Sequence, residues 1–103
     1  ICFKALKQDG ILNVQSESPF FNQDIIKKVT GILSGLFKHV DTYLACIPTY
    51  PSGLWSFTMA SKAYRYSDVR LERATGINTR YFTPDIFHAC FKLPRFVHDL
   101  IGK

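Results

Sequence analysis

Apolar and polar positions along this chain change period several times, and each change marks an element. Ile1, Phe3, Ala5 and Leu6 fall at helical spacing and stop at Asp9-Gly10, where glycine can take the left-handed backbone common after a helix end. Residues 1–8 are therefore expected to be the last turns of a helix. The short apolar run Ile11 to Val14 follows and is expected to form a strand buried on both faces, ending at Gln15. Ser18-Pro19 breaks the strand, and Asn22 or Asp24 can cap the helix after it. In that helix Ile25, Ile26, Val29, Ile32, Leu33, Leu36 and Phe37 recur at helical spacing, with Lys27, Lys28, Thr30, Ser34 and Lys38 on the other side. The pattern predicts an amphipathic helix lying on a sheet. Gly31 and Gly35 each weaken it by about 1 kcal/mol relative to Ala. Close packing against a neighbour is the expected reason for them.

Two further segments read as strands, His39 to Ile47 and Leu54 to Ala60, the second with Trp55, Phe57 and Met59 alternating. Only the loop Pro48-Thr49-Tyr50-Pro51-Ser52-Gly53 separates them. Parallel pairing needs a crossover of roughly a dozen residues, so these two are expected to pair antiparallel. Two prolines fix φ in the loop, and Gly53 allows a turn that a side chain would block, so Tyr50 is expected to be held. Loops braced by a sheet carry a large share of binding residues. In α/β sheets ligands gather beyond the carboxyl ends of parallel strands, and Gln15-Ser16-Glu17 stands at such an end.

After Lys62 the chain turns polar. Ser67 or Asp68 can cap a short helix over Val69 to Ala74, ended by Gly76. Tyr81 and Phe82 read as extended. Thr83-Pro84 starts another helix, with Ile86, Ala89, Cys90 and Phe91 on its apolar face, and Pro94 stands near the first turn of a last helix docked by Phe96, Val97, Leu100 and Ile101. Residues 1–103 read as one domain without repeats or low-complexity tracts.

Composition narrows the function classes. The chain is 47% apolar and 15% aromatic, so a core is expected and disorder is not. Its net charge of +5 is scattered among acids without a basic run, which reads as solvated surface and not as a nucleic-acid interface. Cys2, Cys46 and Cys90 sit in apolar contexts with no C-x-x-C spacing, as expected of buried reduced thiols in a cytoplasmic protein rather than a disulfide or zinc site. His39, His88 and His98 are too differently placed to read as a metal site. The apolar runs are far short of the roughly 20 residues that a membrane span needs. ICFKALK lacks an initiator Met and begins in a helical pattern already under way, so residues are expected to precede Ile1.

PTYPSG at Pro48 to Gly53, preceded by DG-IL-V-Q-x-E-S-P at Asp9 to Pro19 and followed by TRYF and F-x-LPRF, resembles the polyamine aminopropyltransferases, and among them the spermidine synthases. The resemblance covers nearly all of the chain but only the C-terminal part of such an enzyme. It implies an α/β fold: the C-terminal half of a Rossmann-like, class I methyltransferase-type sheet, ending in an antiparallel strand pair with flanking helices. It also implies transfer of an aminopropyl group from decarboxylated S-adenosylmethionine, the cosubstrate, to putrescine, giving spermidine and methylthioadenosine. No cofactor or metal is implied. The family's glycine-rich cosubstrate stretch and its general-base Asp in a D-x-x-D-P-like motif have no counterpart here, so no catalytic residue is expected in this chain, and the segment alone is expected to be inactive. The implied partners are putrescine or a related polyamine, the N-terminal part of the same protein, and a second copy in a homodimer.

Three residues are expected to bind substrate. Gln15, in QSE where many relatives have QGE, carries an amide that can accept from an ammonium group; read without the family it is a structural strand-end residue. Tyr50 offers a phenolic oxygen and a ring face to a cationic amine, against a plainer role packed on the sheet edge. Trp55 stands where the family places an apolar residue along the methylenes of the amine, and a core Trp is the other reading. Glu17 could balance the amine's charge or form an ordinary salt bridge. Where the family commonly has I-H-x-A-A-F, this chain has Ile86-Phe87-His88-Ala89-Cys90-Phe91, and Phe82 replaces a frequent Tyr; the C-terminal segment is expected to pack. Two other readings fit the same residues: a non-catalytic remnant or interaction module of the same fold, and a related methyltransferase.

Overall fold

The computed structural model describes residues 1–102; Lys103, the last residue of the expected single domain, lies outside the described residues. A helical turn α1 (Cys2–Ala5) leads through Gly10 into β1 (Ile11–Glu17), helix α2 (Gln23–Leu36), β2 (His39–Cys46) and β3 (Leu54–Ser61). Two 3₁₀ turns, Tyr66–Asp68 and Leu71–Ala74, precede α3 (Pro84–Cys90) and α4 (Arg95–Ile101). The strands form one sheet in the order β1-β3-β2, with both neighbouring pairs antiparallel. β2 and β3 pair as the short loop dictates, from His39 opposite Ser61 to Cys46 opposite Leu54.

That order changes the expectation for β1. It runs on past Gln15 to Glu17, and it is not buried on both faces: Ile11, Asn13 and Gln15 are exposed, while Leu12 and Val14 are half-buried. The reason is position. Among the described strands β1 is an edge, and only the face carrying Leu12 and Val14 lies under α2.

Helix α2 is narrower in its contacts than its apolar pattern suggests. Ile26, Thr30 and Leu33 are its buried residues and Phe37 follows as its C-cap, whereas Ile25, Ile32 and Leu36 are 39%, 55% and 53% exposed. A Cβ placed on Gly31 or Gly35 would meet nothing within 4 Å, so close packing does not explain these glycines; both lie on the exposed flank. Leu33, Phe37 and Ala60 form the core cluster, joined by Phe3, Leu6, Leu12, Val14, Val29 and Val40. Lys62 ties α1 to the end of β3, donating to the Leu6 carbonyl at 2.8 Å with its ammonium 4.5 Å from the Phe3 ring centre.

The other face of the sheet is covered by the C-terminal segment. Phe91 is the hub: its ring stacks on Tyr66 at 4.3 Å and meets Tyr43 at 5.2 Å, and Tyr43 stacks on Phe57 at 5.1 Å. Thr83 caps α3 by accepting from the Ile86 N–H, as Thr83-Pro84 predicts, but the helix docks through Phe87, Cys90 and Phe91, leaving Ile86 and Ala89 exposed. Asp68 caps the turn at Tyr66–Asp68 by accepting from the Arg65 N–H at 2.8 Å, and not a helix over Val69 to Ala74, which is a 3₁₀ turn at Leu71–Ala74. The last helix, α4, packs against α2 instead, with Val97 fully buried and Phe96 stacked on Phe20 at 5.3 Å.

All three cysteines are free, but they are not buried as expected: Cys2 and Cys46 are exposed and Cys90 is half-buried. Cys46 closes β2 where the strand leaves the sheet, and Cys2 lies in a helical turn with no buried residue. Among the described residues no helix is long and apolar enough to cross a membrane.

Candidate functional site

Strand pleating decides which side chains meet at the loop end of the sheet. Gln15 stands directly opposite Phe57, and Trp55, two residues earlier on β3, projects from the same face. There the Trp55 indole N–H donates to Gln15 Oε1 at 3.1 Å. Trp55 is 7% exposed, yet its single donor is satisfied, as a buried indole requires. The ring of Tyr50 packs on Trp55 with centroids 4.4 Å apart, tilted by 46°. The structure thus brings all three candidate residues into one contiguous row: phenol, indole, carboxamide.

The loop that carries Tyr50 is built from its own backbone. Tyr50 N–H donates to the Ile47 carbonyl at 3.0 Å, Gly53 N–H to the Tyr50 carbonyl at 3.0 Å, and Ile47 N–H to the Gly53 carbonyl at 2.9 Å. Gly53 has φ +71° with open space where a Cβ would stand, so the turn needs glycine for its dihedral and not for room. Ser52 shares this left-handed conformation at φ 69°, which the sequence reading missed; its hydroxyl donates to the Leu54 carbonyl at 3.2 Å. Tyr50 itself remains 37% exposed, a held ring with an accessible side.

Gln15 is aimed by an irregularity in β1. The pairing slips between Gln15 and Glu17, so that Glu17 comes to stand opposite Ser56, and Glu17 takes a left-handed φ of 73°. Such bulges bend a strand and redirect its side chains. Three fully buried hydroxyls on the opposite face brace it. Ser56 donates to the Glu17 carbonyl at 2.7 Å, Ser16 and Ser56 lie 2.9 Å apart, and Thr58 donates to Ser16 at 3.0 Å. Because Ser56 gives its proton to the carbonyl, the proton between the serines belongs to Ser16. The relay therefore runs one way, Thr58 to Ser16 to Ser56 to Glu17, and each hydroxyl is satisfied.

Sequence reading missed this relay, although a signal was present: Ser56 and Thr58 alternate with Trp55, Phe57 and Met59. Polar alternation ordinarily marks a solvent face. Here α2 covers it. Farther along the aromatic face, Tyr43 donates to Asn13 Oδ1 at 3.0 Å, and burial raises its phenol pKa above the usual value, against the lowering effect of that bond. A cavity of about 550 Å³ lies at the opposite end of β1 and β3, bordered by Ile11, Met59, Tyr66, Arg70, Arg73 and Phe87, and involves none of the three candidates. Among the described residues no group of three His, Cys, Asp or Glu could hold a metal ion.

A family model described as the spermine/spermidine synthase domain matches residues 1–70. The chain belongs to the spermine/spermidine synthase family. It is 46% identical over 99 residues to a polyamine aminopropyltransferase of Caldicellulosiruptor bescii, an alignment covering 96% of this chain and 36% of the relative. A polyamine aminopropyltransferase of Desulforudis audaxviator is 44% identical over 97 residues, covering 94% of this chain and 35% of that protein. The chain spans about a third of the length of the curated relatives it matches. Among solved structures, spermidine synthase from Thermotoga maritima superposes with a TM-score of 0.92 at 35% identity, over 98% of this chain and 37% of that one. A spermidine synthase in complex with the transition-state analogue AdoDATO matches with the same TM-score and identity, over 98% of this chain and 36% of that one. The fold expected from the sequence, a piece of the Rossmann-like methyltransferase-type sheet, is the fold of this family.

Proposed function

We propose that this chain is the amine-side part of a polyamine aminopropyltransferase of the spermidine synthase type, acting on putrescine with decarboxylated S-adenosylmethionine as donor. In this reading Gln15 accepts a hydrogen bond from the amine. Tyr50 offers its ring and hydroxyl to the cationic group, and Trp55 lies along the methylenes. The observation that carries the reading is the row itself: Tyr50 packed on Trp55 at 4.4 Å, and Trp55 bonded to Gln15 at 3.1 Å, at the loop end of the sheet. An aliphatic diamine needs this combination, an apolar wall with an acceptor and a π-face at hand.

The chemistry leaves positioning to these residues. A neutral amine nitrogen attacks the carbon beside the sulfonium. A C–N bond forms, the C–S bond breaks, and its electron pair returns to sulfur as a neutral thioether, methylthioadenosine. The nitrogen then carries an extra proton that a base must take. We assign that base to no residue of this chain; alignment of amine and electrophile is what Gln15, Tyr50 and Trp55 supply.

The test is steady-state kinetics on the intact gene product, following methylthioadenosine formation with putrescine as acceptor. Gln15→Leu is expected to raise the KM for putrescine at least tenfold while leaving the KM for the aminopropyl donor within twofold. An unchanged putrescine KM would overturn the placement of the amine.

A further inference from the structure

We infer that Trp55, beyond forming a wall, is a positioning residue: its indole N–H fixes which end of the Gln15 carboxamide carries the oxygen. The inference rests on the proposed amine contact at Gln15 and adds the group that orients it.

A glutamine side chain ends in two atoms of nearly equal size and opposite chemistry, an acceptor oxygen and a donor NH₂. The last torsion of such a side chain is broad, and Gln15 is exposed, so nothing in its own covalent structure chooses between the two orientations. Trp55 chooses. Indole nitrogen is a donor and never an acceptor, so only an oxygen can face it at 3.1 Å. The opposite orientation would set an NH₂ against an N–H inside a region where Trp55 is 7% exposed and water cannot readily substitute as partner.

The indole in turn cannot drift. It is buried on β3, and the Tyr50 ring packs on it at 4.4 Å. From the other side, the bulge at Ser16 and the three buried hydroxyls of Thr58, Ser16 and Ser56 hold the end of β1, which sets where the Gln15 side chain leaves the strand. Backbone and side chain are thus pinned by separate devices.

This orientation has a consequence for an amine. Oε1 keeps one lone pair after accepting from Trp55, and an amine N–H that takes it is held beside the indole and within reach of the Tyr50 ring. Without the indole N–H, the carboxamide turns freely and presents NH₂, a donor facing a donor, for a large part of the time.

The experiment separates orientation from wall. Trp55→Phe keeps an aromatic surface and removes only the N–H and one ring. Putrescine KM is measured on the intact gene product for Trp55→Phe in two backgrounds, the native Gln15 and Gln15→Glu. Glutamate ends in two oxygens, so it needs no orienting. The inference expects Trp55→Phe to raise putrescine KM roughly 3- to 10-fold beside Gln15, and to change it by less than twofold beside Glu. Equal increases in both backgrounds would mean that Trp55 acts as a wall alone, and no increase beside Gln15 would also overturn the inference. Should Trp55→Phe fail to fold, 3-benzothienylalanine at the same position keeps the bicyclic shape and replaces N–H by sulfur; the same two outcomes decide. Gln15→Leu distinguishes the two levels: if it leaves putrescine KM unchanged, the amine contact itself is wrong and the inference falls with it.

Discussion

Asp41 is 3% exposed on the aromatic face of β2, and Arg65 reaches it from the chain leaving β3, with Nη2 2.7 Å from Oδ1. The Tyr66 N–H adds a longer contact to Oδ2 at 3.3 Å. Together they fasten the turn at Tyr66–Asp68 over the sheet, where Tyr66 stacks on Phe91. Removing Arg65 leaves a buried carboxylate with one weak partner. Arg65→Ala is expected to destabilise the fold by about 1–3 kcal/mol, less than for a wholly buried pair because the guanidinium side chain is 48% exposed. Urea denaturation of the variant checks this, and an unchanged midpoint refutes it.

Not every buried hydroxyl is used. Thr30 on α2 and Thr42 on β2 each bury an Oγ1 that has no hydrogen-bond partner among the described residues. Valine has the same shape without the polar atom. Thr30→Val and Thr42→Val are expected to be neutral or to stabilise by up to about 1 kcal/mol, whereas Ser56→Ala, which strands the Glu17 carbonyl and Ser16, costs about 1–3 kcal/mol. The melting temperature of Ser56→Ala should therefore fall, while those of Thr30→Val and Thr42→Val hold or rise.

Cys90 and Tyr43 supply a pH dependence. Burial raises both pKa values above their ordinary 9.0 and 10.0, and for Tyr43 the bond to Asn13 partly opposes this. Both groups are neutral in the protonated form, which the fold favours. The stability they contribute is therefore fully present below the ordinary values and is lost as pH rises through the raised ones. Stability is expected to fall above about pH 9, measurable as a declining denaturation midpoint. Under alkylation near neutral pH, the exposed Cys2 and Cys46 should react well before Cys90, and peptide mass mapping reads the order.

Trp55 is the one tryptophan of this chain, which makes its environment optically readable in a preparation of these residues. Tyr50→Ala uncovers the indole and removes a ring contact worth about 0.5–1.5 kcal/mol. A red-shifted emission maximum is expected, while Tyr50→Phe, which keeps the ring, should leave the maximum unchanged. Identical spectra for Tyr50→Ala and the parent would show that the ring does not shield Trp55.

Local rules were enough for a good part of this molecule. The loop of Pro48 to Gly53 is too short for anything but antiparallel pairing of its flanking strands. The Thr83-Pro84 pair starts α3, and the period-two alternation of Trp55, Phe57 and Met59 sets one face of β3. Each of these follows from chain geometry over fewer than about ten residues. Gln15, Tyr50 and Trp55 were also recognisable as individual candidates, from residue chemistry and from motif.

Long-range contact settled the rest. β1 is apolar enough for an interior strand, yet its place in the order β1-β3-β2 leaves it at an edge of the described sheet. Ser56 and Thr58 look like solvent-facing residues, but α2 lies on them, and their hydroxyls are satisfied by Ser16 and the Glu17 carbonyl, some 40 residues away in sequence. The bond from Trp55 to Gln15 is of the same kind, joining residues whose positions along the chain carry no record of their meeting. Patterning reports what each side chain prefers; register and bulge determine which preferences are met together, and those arise only when distant strands pair.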